Sequence, residues 1–197
     1  MKFKITQENY KITVVIFFII CGIIIGYPFF AFKFFETHNA LVTTTKYFLL
    51  PILLLTIIGV PYLYSKYLLK YDKLLYESNL KKSGKKEMSN TKKTIGTIMM
   101  YFFLILMFSG ILFGIFYSTI ITSNAYLGTS ESIYINESVQ AYETHTDKYG
   151  KLRRYIKFYS PVDKRIIEMQ VYRQYNIGEK FEKEMKIGRW NILYSKD

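Results

Sequence analysis

The side chains of this 197-residue chain that could carry acid–base, nucleophilic or metal chemistry are few and far apart. His38 and His145 have no Cys or His neighbour at ligand spacing, so each reads as a solvated side chain rather than a metal ligand. Cys21 is the lone cysteine and lies in an apolar run, which excludes an intramolecular disulfide. Glu168 falls on the outward face of an expected strand. Asp163 falls in an expected turn, where a carboxylate commonly bonds its own backbone. The sequence contains no Gly-x-Ser-x-Gly, His-Glu-x-x-His, P-loop or paired-carboxylate pattern. Enzymatic activity is therefore unsupported, and no cofactor or metal site is expected.

What the sequence does specify is how it sits in a membrane. Ile12 to Phe32 is 21 residues without a charge, Tyr47 to Tyr64 is a second apolar block of 18, and Thr94 to Ser123 a third of 30. A helix needs about 20 apolar residues to cross the hydrocarbon, so three spans are expected. Pro51, Gly59 and Pro61 in the second would disfavour a helix in water but are tolerated in a bilayer. The first block is too long for a signal-peptide core and is followed by Lys33, Phe34, Phe35 and Glu36, so it reads as a permanent anchor.

Lysines orient the spans. Residues 1–11 and the segment from Lys66 to Lys93 together hold twelve lysines, whereas residues 33–46 hold two. The excess places the first two segments in the cytoplasm. The expected order is a cytoplasmic tail over 1–11, helices over 12–32, 47–65 and 94–123, an exterior loop over 33–46 and a basic cytoplasmic loop over 66–93. Residues 124–197 then form a periplasmic or extracellular domain. The net charge of +12 is thereby mostly topogenic, so a nucleic-acid partner is not expected. The first half of the basic loop is amphipathic at helical spacing, and Lys66, Lys70 and Lys73 are its expected membrane-surface contacts.

Gly22 with Gly26, and Gly110 with Gly114, are small-xxx-small pairs that allow close helix approach, either with each other or in a homodimer. The apolar runs carry no Asp, Glu, Lys, Arg or His, which argues against an ion or proton path.

After Glu131 the apolar period changes to two. Lys151 to Tyr159, Arg165 to Tyr172, Lys180 to Ile187 and Trp190 to Tyr194 read as strands, with another near Ser132 to Ile135 and a turn at Ser160 to Lys164. The fold class expected is thus an α+β membrane protein: three transmembrane helices followed by a small antiparallel β-domain outside the membrane. Arg153, Tyr155, Tyr159, Tyr172, Arg173, Tyr175 and Trp190 are its candidate protein interface, since Tyr, Trp and Arg dominate such surfaces. Lysine, isoleucine and tyrosine bias fits an AT-rich bacterium and hence an inner membrane. The function expected is capture of another protein, as by an immunity protein that intercepts a toxin. A sensor or accessory subunit of a membrane complex, or a membrane enzyme with an unrecognised site, are the alternatives.

Overall fold

Apolar runs of membrane length form three helices, and the alternating C-terminal residues form antiparallel sheets, in a computed structural model that describes residues 7–65, 90–127, 131–146 and 148–196. Helix α1 is Gln7–Ala31, α2 is Thr37–Leu63 and α3 is Asn90–Tyr126. Among the described residues, Ile12–Ala31, Thr37–Leu63 and Thr94–Tyr126 are long and apolar enough to cross a membrane. At 1.5 Å per residue α3 measures about 55 Å, well beyond a hydrocarbon core of about 30 Å. Lys66, Lys70 and Lys73 lie outside the described residues.

The helix boundaries differ from expectation at α2. Residues 33–46 are not a loop: Phe34–Phe35 form strand β1 and α2 begins at Thr37. The β-branched run Val42 to Thr45 weakens the local helix signal, but Ala40 and Thr44 are fully buried, and packing overrides propensity.

The chain divides into two units, the first comprising Met1–Ile25 and Leu41–Ser118. Within it, α2 buries Thr44, Ile52, Thr56 and Val60, and Tyr64 just past its end continues the same four-residue spacing. It meets α3 in antiparallel register: Phe48 stacks on Phe116, Thr56 Oγ1 bonds Ser109 Oγ at 2.8 Å, and Tyr64 packs edge-on against Tyr101. Against α1, the close approach uses Gly114 and Ser118. A Cβ on Gly114 would sit 3.0 Å from Ile25 Cδ1, and Ser118 Oγ donates to the Ile25 carbonyl at 2.8 Å. The two glycine pairs do not meet each other. A Cβ on Gly22 or Gly110 would meet nothing within 4 Å, and one on Gly26 only Phe30 at 3.7 Å. Gly114→Val should therefore lower stability in micelles by about 1–3 kcal/mol, as overpacking does, while Gly22→Val leaves it within about 0.5 kcal/mol. Equal thermal shifts for the two variants would contradict this contact.

The second unit comprises Gly26–Ala40 and Thr119–Asp197. Its strands are β1, β2 (Glu131–Ser138), β3 (Ala141–Thr146), β4 (Leu152–Ser160), β5 (Arg165–Val171), β6 (Lys180–Ile187) and β7 (Leu193–Ser195). One sheet has the order β1-β7-β6-β2 and the other β3-β4-β5. Val139 and Gln140 carry the chain from one to the other: the Val139 amide donates to Glu179 and the Gln140 amide to Lys157. The shared core contains Ile135, Ile156, Phe158, Met169, Phe181, Met185 and Leu193, supplied by alternate positions of both sheets.

Strand β3 was not expected, because AYETHT alternates poorly. The expected strand at Trp190 starts later, since Asn191 has φ 58° in a turn and β7 begins at Leu193. That turn is held to the end of α3 by Asn124. Its Nδ2 donates to the Ile192 carbonyl at 2.8 Å, its Oδ1 accepts from the Trp190 amide at 2.8 Å, and its own carbonyl accepts from the Arg189 amide at 3.2 Å.

Candidate functional site

Among the described residues of the second unit, the most buried acidic or basic side chain is one that in the sequence is only a charge flanking an apolar span. Glu36 follows β1 and immediately precedes α2, with its residue 4% exposed. Its amide donates to the Leu193 carbonyl at 2.9 Å, and its carbonyl accepts from the Ala40 amide at 3.2 Å, which opens the helix. Glu36 is thus at the N-cap of α2.

Three side chains converge on it. Arg165, the first residue of β5, donates Nη2 to Glu36 Oε1 and to Asn39 Oδ1, the latter at 2.9 Å. Asn39 donates Nδ2 to Glu36 Oε2 at 2.9 Å and to Asp163 Oδ1. Asp163 Oδ2 accepts from Ser160 Oγ at 2.9 Å, and Ser160 Oγ also lies 3.2 Å from the Asp163 amide that donates to it. Within its own turn the Asp163 carboxyl thus meets the Ser160 hydroxyl rather than a backbone amide, and it also reaches across to α2. Burial, the neighbouring Asp163 carboxyl and its hydrogen bond push the Glu36 carboxyl up to about 8, against the opposing pull of Arg165. Two carboxyls face one guanidinium, so a proton retained on Glu36 balances the charge.

The cluster is closed on itself. Among the described residues no buried side-chain nitrogen or oxygen lacks a hydrogen-bond partner, and no group of three or more His, Cys, Asp or Glu could hold a metal. Glu36, Asn39, Asp163 and Arg165 are thereby arranged as a joint between the start of α2 and the β4–β5 turn. Only a signal for Asp163 was available in the sequence, the Ser-x-x-Asp turn. Nothing marked Glu36, because its charged neighbours Asp163 and Arg165 lie more than 120 positions away.

The second place of interest is the outer face of β3-β4-β5. In register across it, His145 faces Arg153, Glu143 faces Tyr155 and Tyr155 faces Gln170, Lys157 faces Glu168, and Tyr159 faces Ile166. Lys157 bonds Glu143 and lies 3.7 Å from Glu168, and this cation holds the Glu143 carboxyl below the usual range. Arg153, Tyr159 and Tyr172 are exposed and Tyr155 is half-buried. Tyr172 is 76% exposed and Tyr149, in the β3–β4 turn, 82%. Between Lys148 and Arg154 four of seven residues are Lys or Arg and none is acidic.

Of the seven candidate interface residues, Tyr175, Arg173 and Trp190 are turned toward other parts of the domain. Tyr175 is buried against Phe181 in the core, so it is not available at the surface. Arg173 stacks over the Tyr175 ring at 3.9 Å and bonds Glu179 Oε1 at 2.7 Å. Trp190 is half-buried and its Nε1 donates to Ser123 Oγ at 2.9 Å, at the end of α3. The alternation rule failed for Tyr175 because it lies in the irregular segment after β5, where a large ring can turn inward.

No family model, curated protein or solved structure matches this chain.

Proposed function

We infer that this chain is a multi-pass bacterial inner-membrane protein whose β-domain, on the outer side, captures another protein, and that it serves as an immunity protein against a toxin arriving from that side. The observation that carries the reading is the outer face of β3-β4-β5. Arg153, Tyr155, Tyr159 and Tyr172 offer aromatic and guanidinium contact area there, beside an exposed Ile166 and a hairpin rich in Lys and Arg. Those are the residue types that dominate protein interfaces, and the cationic hairpin favours an acidic partner. Sidedness is supported by the lysine distribution and by the pairing of β1 with β7, which gathers the α1–α2 connection into the same unit as the C-terminal strands.

A strain lacking the gene should lose in competition with toxin-delivering siblings, and the intact gene should restore it. Tyr155→Ala with Tyr172→Ala should fail to restore protection, with partner affinity down about 30-fold, the effect of about 2 kcal/mol at a hot spot. The variant's thermal transition should stay close to the parent's. Survival of the deletion strain at parental level would remove the immunity reading.

A further inference from the structure

We propose that Glu36, Asn39, Asp163 and Arg165 form a proton-controlled clasp: a proton held on the Glu36 carboxyl keeps the start of α2 on the β4–β5 turn, and its loss loosens that joint. The inference is independent of the protein-binding reading.

The geometry comes first. Among the described residues β1 pairs only with β7 and β5 only with β4, so no ladder there joins the β1 edge to the β5 edge. Side chains span that gap instead. Arg165 reaches Glu36 and Asn39 from the first position of β5, and Asp163 reaches Asn39 from the turn before it. On the other side, β1 contributes just two residue pairs to β7, Phe34 with Ser195 and Phe35 with Tyr194. A two-residue pairing is a weak tether by itself. The clasp therefore adds to the Lys33 and Glu36 amide bonds to β7 in fixing residues 33–40 to the strands, and it is the part that reaches β5.

The charge balance makes it proton-dependent. The charged groups facing Glu36 are Asp163 from the β4–β5 turn and Arg165 from β5. From α2 it meets the neutral Asn39 amide, and from β7 the Leu193 carbonyl, which binds its amide. With both carboxyls ionised, one cation faces two anions in a site where Glu36 is almost inaccessible to water. With one proton retained the site is neutral, and the Asn39 amide still bridges both carboxyls.

The direction follows from linkage. Glu36 binds its proton more tightly in the folded joint than when solvated, since its carboxyl is raised to about 8 there. The joint is thus most secure below the ordinary carboxylate range, weakens as pH rises from about 4.5 to about 8, and is weakest above that. Acidification on the side that the β-domain faces closes the clasp, and alkaline conditions open it.

The full chain in micelles provides the test. Nitroxides at His38→Cys and Ile166→Cys, both exposed positions, in a Cys21→Ser background report the distance across the clasp. At pH 6 one narrow distance distribution is expected, and at pH 9 loss of a measurable share of it to longer, broader distances. Glu36→Gln should keep the narrow distribution at both values, and its melting temperature should stay level from pH 6 to pH 9 while the parent's falls. Asp163→Asn should also flatten the dependence, which covers the case that Glu36→Gln does not fold. Distributions unchanged from pH 6 to pH 9 in the parent, or equal broadening in the parent and both variants, would overturn the proposal.

Discussion

Gly188→Ala should lower the melting temperature of the full chain in micelles by roughly 10 °C, the consequence of about 3–4 kcal/mol in a chain of this size. The new methyl would stand 1.8 Å from the Asn124 carbonyl oxygen, 2.5 Å from its carbonyl carbon and 2.6 Å from its Cγ. Those are main-chain and first-branch atoms, so no rotamer change relieves the overlap. Nor can Asn124 retreat easily. It is 2% exposed, its side-chain amide holds Ile192 and Trp190, and its carbonyl holds Arg189. Accommodating the methyl means lifting the 188–192 turn off the end of α3, which would leave the Trp190 and Ile192 amides without the Asn124 oxygen they donate to. Asn124→Ala, which keeps the carbonyl, should not rescue the alanine at 188. A melting temperature within about 2 °C of the parent's would show that the turn yields cheaply, contrary to this account.

The same pair shows where reading residues in order stops being informative. Gly188 could be recognised as a point where the chain bends, but not as a point where it touches α3, because Asn124 is 64 positions earlier. Periodicity is a local signal. It located the apolar helices and the inward faces of β5 and β6, where Ile167, Met169 and Val171 or Phe181 and Met185 alternate with exposed residues. It could not locate β1, two residues long and defined only by its pairing with β7, nor the first turns of α2 through a threonine run. Glu36 is the extreme case. Beside an apolar span a carboxylate reads as a polar flank, and only folding across 124 to 129 positions reveals Asn39, Asp163 and Arg165 as one network. Its detection in the sequence would have required the pairing itself.

Arg165→Met should show a stability loss that grows with pH. The methionine keeps much of the apolar stem, so the chief change is removal of the one cation facing two carboxyls. At pH 5 the Glu36 carboxyl is protonated, and the loss is that of hydrogen bonds to a neutral group, about 1 kcal/mol. At pH 9 Glu36 must either ionise beside Asp163 with no counter-charge or hold its proton against the solvent. Breaking a buried pair in this way costs about 3–5 kcal/mol. Because the Arg165 side chain is 32% exposed, water reaches part of the site, and the lower end of that range applies. The signs agree: removing the cation raises the Glu36 carboxyl further, so the folded variant binds its proton more tightly than the parent and its stability falls over a longer pH interval. Unfolding followed at pH 5, 7 and 9 would register this as a widening gap from the parent, and a gap that stays constant would assign Arg165 a packing role alone. Adding Glu36→Gln to Arg165→Met separates the two causes. If uncompensated charge is the penalty, the glutamine removes it, and the double variant regains most of the high-pH loss while remaining slightly less stable than the parent at pH 5.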